Sequence, residues 1–249
     1  IYAEWAPNEK VALEGAIGAS YAGARSMASM KHVGLNVAAD PFFTNAYTGV
    51  NAGLVVITAD EPGMHSSQNE QDNRRYAYHA NVPLFEPSDS QESYDMILEA
   101  YRVSEEFDTP VLIRMTTRVC HSKSTVELKD RIVPAFKACE KNPMKYIPVP
   151  AVAKNLKIKV LERAKKLEAY TEKSEFNFAE YYDKKIGFIA SGIAYQHVKE
   201  VFGNTASYYK VGFSHPLPMG ELKKFAAQVE KLYVVEENDP VMDTELKAA

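Results

Sequence analysis

The chain has 249 residues, 46% of them hydrophobic and 25% charged, with a net charge of -4 from 29 basic and 33 acidic residues. That is globular composition, long enough for one large domain or two small ones. It lacks the basic block of a nucleic-acid binder and any apolar run of the roughly 20 residues a membrane helix needs.

In chain order, residues 6–25 read as a helix. Asn8 suits its N-cap, and Glu9 suits the positive end of its dipole. One side carries Ala12, Gly15, Ala16, Ala19, Ala22 and Gly23. Such a small-residue face lets another backbone approach closely, and suggests a subunit or domain contact. RSMASM (25–30) predicts a strand, KHVGLN (31–36) a loop, and residues 37–47 a helix. GLVVITA (53–59) is a continuous apolar run, the pattern of a strand covered on both faces. The polar run GMHSSQNEQD (63–72) follows at once and leads into a helix over 68–80.

VPLFEP (82–87) reads as a short strand. Residues 88–107 read as a strongly amphipathic helix, capped by Ser88 or Ser90. TPVLIRMTT (109–117) is the next buried strand. From 118 to about 185 the chain turns Lys/Glu-rich with several prolines. It reads as a linker with one helix at 151–172. A second unit then alternates strand (185–191), helix (194–202), strand (207–212), helix (219–230) and strand (231–237). Strands alternating with helices imply a parallel α/β sheet.

In open parallel sheets, ligands bind beyond the carboxyl ends of strands. His32, His65, His121 and His215 each sit just past an expected strand, although histidine and serine are common in any loop. His79 and His197 fall on expected helices and read as surface residues. GAIGASYAGA is no dinucleotide fingerprint, and no Walker A motif occurs. IASGIAY is no serine-hydrolase elbow. Cys120 and Cys139 form no ligand cluster, so no metal site is expected in the chain itself. So few cysteines fit a reducing, cytoplasmic setting. The opening IYAEWAPNEK has neither an initiator Met nor a signal peptide, and the end reads as the start of a helix. A fragment of a longer protein is expected.

The stretches NEKVALEGAIGASYAGARSMASMKHVGLNVAADPFF (8–43) and LVVITADEPGMHSSQNEQDNRRYA (54–77) narrow the reading. With PVLIRMTTRVCHS (110–122) and the segments from KIGFIAS (185) to KLYVVEE (237), they resemble the alpha subunits of indolepyruvate:ferredoxin oxidoreductases. These are a branch of the thiamine-diphosphate-dependent 2-oxoacid:ferredoxin oxidoreductases. The resemblance implies an α/β fold made of a pyrimidine-binding parallel sheet with helices on both faces and a smaller transketolase C-terminal-like α/β domain. The implied division is 1–120 for the pyrimidine domain, 121–184 for the linker and 185–249 for the second domain. It implies thiamine diphosphate with Mg2+, held jointly with a diphosphate-binding domain outside this chain, and iron–sulfur clusters elsewhere in the full enzyme. The implied partners are a beta subunit in a heterodimer, ferredoxin, coenzyme A and a 2-oxoacid.

The resemblance also assigns residues. Glu9 matches the glutamate that hydrogen-bonds the aminopyrimidine ring nitrogen. A carboxyl sharing a proton there favours the imino tautomer, which generates the reactive carbanion. Lys31 and His32 match the loop facing the cofactor. His65, Ser66, Ser67 and Gln68 match the loop over the substrate, with His65 also a catalytic candidate. Pyruvate-using relatives carry an arginine for the substrate carboxylate where this chain has TADEP, leaving His65 or Lys31 to bind it. Phe42, Phe43, Tyr47 and Tyr76 read equally as an aryl pocket or as core. The implied activity is oxidative decarboxylation of an arylpyruvate to acyl-CoA. The other readings are a non-catalytic thiamine-enzyme module, a module for a different 2-oxoacid, and another thiamine enzyme such as a transketolase or a decarboxylase.

Overall fold

The computed structural model describes residues 1–139 and 141–249. Its first sheet is built on three long parallel strands, β1 (Ser26–Lys31), β2 (Leu54–Asp60) and β4 (Val111–Thr116). Two short strands, β3 (Leu84–Phe85) and β8 (Phe213–His215), complete the order β1-β2-β4-β3-β8, with β8 antiparallel to β3. Leu54, Val55, Val56, Val111, Leu112 and Ile113 are all buried. Each such side chain stabilises the fold by roughly 1.5–3 kcal/mol on leaving water. This explains why the β2 and β4 segments read as unbroken apolar runs rather than alternating ones.

Helix α1 (Glu9–Tyr21) runs back against β1, so its first turn lies at the carboxyl end of that strand. Asn8 caps it as expected, its side chain accepting from the Val11 N–H at 3.0 Å. The helix is shorter than the sequence suggests. Its small-residue side is open at Gly15 and Gly18, where an added Cβ would meet nothing within 4 Å among the described residues. KHVGLN is a correction: it forms a short helix, α2 (His32–Val37), rather than a loop. Helix α3 (Ala39–Thr48) follows.

The helix expected from residue 68 begins later, as α4 (Arg74–Ala80), because residues 68–73 spend their polar groups on the loop. Helix α5 (Ser90–Phe107) is capped neither by Ser88 nor by Ser90 but by Asp89, whose carboxylate accepts from the Glu92 N–H. A short helix, α6 (Thr117–His121), follows β4 directly.

The 118–185 segment is more than a linker. After the one-turn α7 (Pro143–Tyr146), helix α8 (Pro150–Thr171) buries Val152, Leu156, Val160 and Leu167. Arg163 on α8 donates to the Asp108 carbonyl at 2.8 Å and the Ala46 carbonyl at 2.6 Å. It thereby satisfies carbonyls at the ends of α5 and α3, which have no partner within their helices.

The second sheet starts at β5 (Asn177–Glu180), before the expected boundary at 185. With β6 (Ile186–Ser191), β7 (Ser207–Val211) and β9 (Lys231–Val235) it has the order β5-β7-β6-β9. Helices α9 (Gly192–Phe202), α10 (Met219–Ala226) and α11 (Val241–Ala248) pack with it. The two sheets are not independent. Strand β8 lies late in the chain yet pairs with β3 in the first sheet, and Phe213 packs 4.3 Å from Phe85.

Candidate functional site

The carboxyl ends of β1, β2 and β4 lie level: Lys31 is in register with Ala59, and Asp60 with Thr116. The polar loop 61–73 leaves this edge. Positive φ at Gly63 and Met64 turns it sharply, and the Met64 N–H closes the turn on the Glu61 carbonyl at 3.0 Å.

Four anchors hold the loop. Glu61 accepts from the Ser66 N–H and the Ser67 hydroxyl, with the Lys31 ammonium 3.6 Å away. The Ser67 hydroxyl is the main reason the Glu61 carboxyl is held down at about 2. His32 Nε2 donates to the Asn69 carbonyl at 3.2 Å. Asn73 ties the loop's end to the sheet, donating to the Thr58 hydroxyl (2.6 Å), the His32 carbonyl (3.1 Å) and Asp60 (2.9 Å). Asp72 takes Arg74 in a two-pronged pair at 2.5–3.1 Å.

Beneath the loop lies a buried charge network. Arg114 on β4 donates to Asp60 at 2.6 Å and to Glu86 at 2.8 Å, and Asp72 lies 3.8 Å away. Arg74 continues it to Glu236 (2.6 Å) and to the carbonyls of Glu237 and Asp239, beyond β9. Burial lifts the Asp60 carboxyl above its ordinary range despite Arg114. Burial would lift Asp72 too, but Arg74 and Arg114 outweigh it and hold it low. None of these residues is singled out by sequence reasoning. The available signal is an arginine inside the apolar run VLIRMT and an aspartate ending LVVITAD.

Glu9 sits in the first turn of α1 with its side chain laid over Gly34 of α2. A Cβ on Gly34 would fall 2.6 Å from Glu9 Cγ and 2.9 Å from its Oε1. The bare glycine is what leaves room for this carboxyl. Glu9 makes no side-chain hydrogen bond or ion pair among the described residues, so both oxygens are available to a ligand.

The other sequence candidates divide. Lys31 and the loop residues His65, Ser66, Ser67 and Gln68 gather at the same edge, with Lys31, His65, Ser66 and Gln68 exposed. His32 is fully buried and serves as a loop anchor rather than facing a ligand directly. His121 is exposed at the end of α6. His215 lies at the opposite end of the sheet, because β8 runs antiparallel and pairs it with Leu84. Its Nδ1 donates to the Val82 carbonyl at 2.8 Å, and burial pushes its pKa down to about 4. Of the aromatic candidates, Phe42 is core, Phe43 and Tyr76 pack against that core, and Tyr47 lies under Lys157.

Residues 4–188 match the family described as pyruvate flavodoxin/ferredoxin oxidoreductase, thiamine diphosphate-binding. The chain belongs to that family. Among curated relatives it is 45% identical over its full length to an indolepyruvate oxidoreductase subunit IorA of Methanothermobacter thermautotrophicus, and 43% identical over 99% of its length to that of Archaeoglobus fulgidus. The chain spans 41% and 40% of the length of these two relatives. Among solved structures, 2-oxoglutarate:ferredoxin oxidoreductase from Magnetococcus marinus, with 2-oxoglutarate, coenzyme A and succinyl-CoA bound, superposes with a TM-score of 0.75 at 14% identity. That match covers 98% of this chain and 51% of the other. A split-gene transketolase, an inactive beta4 tetramer, superposes at 0.55 and 17% identity over 94% of this chain and 64% of its own. Both likenesses are of fold. They show that the α/β arrangement of this chain recurs in both proteins.

Proposed function

We propose that this chain is the pyrimidine-holding part of an oxidoreductase that converts an arylpyruvate such as indolepyruvate, with coenzyme A, to acyl-CoA and CO2. Two electrons pass through iron–sulfur clusters to ferredoxin. The observation that carries the reading is the Glu9 carboxyl: it sits at the carboxyl edge of the parallel strands, unpartnered among the described residues and seated on Gly34. The full-length likeness to indolepyruvate oxidoreductase subunits supports the substrate class.

The residues fit thiamine diphosphate. Glu9 would take the aminopyrimidine ring nitrogen, and the Gly34 surface would keep its carboxyl aimed. When bound, the cofactor would supply the nucleophilic carbon and the electron sink that decarboxylation of a 2-oxoacid needs. The role of Glu9 would be to hydrogen-bond that ring nitrogen through a carboxyl oxygen and so favour the reactive tautomer. The loop from Glu61 to Asn73 covers the strand ends, with His65 and Gln68 directed outward where a substrate arrives. The Mg2+ and diphosphate groups belong to another domain of the complete enzyme. A beta subunit, ferredoxin and coenzyme A complete the assembly. A reducing, cytoplasmic setting suits the free, exposed Cys120 and Cys139.

An anaerobic assay of the complete alpha–beta enzyme tests this, following viologen reduction with coenzyme A, thiamine diphosphate and a panel of 2-oxoacids. Arylpyruvate-dependent reduction that falls at least a hundredfold in Glu9→Gln is expected. Near wild-type turnover in Glu9→Gln removes Glu9 from the mechanism. Preference for pyruvate or 2-oxoglutarate keeps the cofactor and overturns the aryl assignment. If a cofactor- and cluster-loaded enzyme oxidises no 2-oxoacid, the chain is a non-catalytic module.

A further inference from the structure

Three donors converge on the Glu61 carboxylate. The Ser66 N–H meets one oxygen and the Ser67 hydroxyl the other, with the Lys31 ammonium 3.6 Å from that second oxygen. A cation, a backbone amide and a hydroxyl aimed at two coplanar oxygens are the chemistry of a carboxylate-binding site. The donors come from two segments far apart in sequence: the last residue of β1 and the turn after β2. The carboxylate filling the set belongs to the protein itself.

The set is not closed to exchange. Lys31 stands outside hydrogen-bond distance of Glu61, and its side chain is 42% exposed. An ammonium has three N–H donors, and among the described residues Lys31 directs none of them to a hydrogen bond. The side chains of Ser66 and Ser67 lie on a loop whose neighbours Gly63, Met64, His65 and Gln68 are all exposed. The Gly63 N–H is taken by a second internal carboxylate, Glu70, at 2.5 Å. The loop is thus folded onto its own acids, on an edge that also carries Glu9 nearby on α1.

We infer that Lys31, the Ser66 N–H and the Ser67 hydroxyl are the binding site for the substrate's carboxylate, and that Glu61 occupies this site until a 2-oxoacid displaces it. The inference rests on the 2-oxoacid reading above and supplies the carboxylate anchor for a chain with no arginine in TADEP. The incoming carboxylate takes over the ammonium as Glu61 leaves it, so the ammonium is not left unpaired at either stage. A monocarboxylate fits this exchange. A second carboxylate on the substrate would meet the exposed Glu70 of the same loop. Swapping Glu61 out frees residues 61–68 to re-form around the ligand, so substrate entry and loop rearrangement are one event.

The test uses the complete alpha–beta enzyme and two readouts: KM for indolepyruvate, and the calorimetric Kd of 3-phenylpropionate, an unreactive monocarboxylate. Glu61→Gln removes the charge of the internal competitor, and both constants are expected to fall about fivefold. Lys31→Met removes the cation, and both are expected to rise tenfold or more. Ser67→Ala is expected to raise Kd by about threefold. If Glu61→Gln weakens phenylpropionate binding, Glu61 only orders the loop and the exchange is wrong. If Lys31→Met leaves both constants unchanged, the anchor lies elsewhere. Failure of the 2-oxoacid reading looks different: no turnover in wild type. The calorimetric pattern then still decides whether Glu61 competes with a carboxylate.

Discussion

Asp60 and Glu61 are adjacent carboxylates with opposite fates. Asp60 ends β2 and points into the sheet, its side chain fully enclosed. Glu61 begins the loop and is nearly as covered, its side chain 10% exposed. Burial alone would push both carboxyls up, yet only Asp60 rises, while Glu61 is held at about 2. The difference lies in the donors. Asp60 shares Arg114 with Glu86 and lies close enough to Asp72 to be raised by it. Glu61 has the Ser66 N–H and the Ser67 hydroxyl for itself. One carboxylate belongs to a structural network short of positive charge, and the other to a site with donors to spare.

The largest expected effect comes from breaking the structural side of this pair. Arg114→Met strips Asp60 and Glu86 of their shared cation and should cost roughly 3–5 kcal/mol of stability, read from denaturant unfolding. A loss under about 1 kcal/mol would mean Arg114 is not the cation on which Asp60 and Glu86 depend.

Stability as a function of pH sharpens the contrast. Asp60 has a raised folded pKa, so its contribution is present below its ordinary value of 3.8 and is lost as pH rises through the folded one. Glu61 has a depressed folded pKa, so its contribution is present above 4.5 and is lost as pH falls toward 2. Asp60→Asn should therefore remove a loss of stability on the rising side, and Glu61→Gln a loss on the acid side. Unfolding curves from pH 2 to 7 in the two variants would show slopes changing in opposite directions.

The smallest effect on folding is expected at Gly34→Ala. Helix propensity favours alanine by about 0.5–1 kcal/mol, offset by the push against a flexible Glu9 side chain. Net stability should move by less than about 1 kcal/mol, while arylpyruvate turnover falls tenfold or more because Glu9 has lost its seat. Unchanged turnover would show that Glu9 finds its working position without the glycine.

Much of the frame is legible from pattern alone. The apolar runs at β2 and β4, the Asn8 cap and the amphipathic α5 all follow from local rules. KHVGLN reads as a loop because six residues with a central glycine carry no helical period, and packing against α1 and β1 makes it a helix. The helix over 150–171 is legible, but it reads as part of a linker because its surface is Lys/Glu-rich; its buried stripe of Val152, Leu156, Val160 and Leu167 keeps helical spacing, with the charged Arg163 interrupting it. The exposed half of the site, Lys31 and His65–Gln68, is visible as polar residues after strands. The buried half is not, because Arg114 lies 54 positions from Asp60 and Glu236 lies 162 positions from Arg74. The antiparallel β8, which sends His215 to the far end of the sheet, carries no local mark of its direction.

That strand also governs how the molecule can be divided. A polypeptide stopped near residue 184, where composition suggests a seam, would leave one side of β3 with unpaired amides and remove Phe213 from its contact with Phe85. Bare strand edges recruit other chains, so such a half should aggregate rather than fold. The same strand ties the two units together: a second unit put in place of this one would have to bring its own partner for β3.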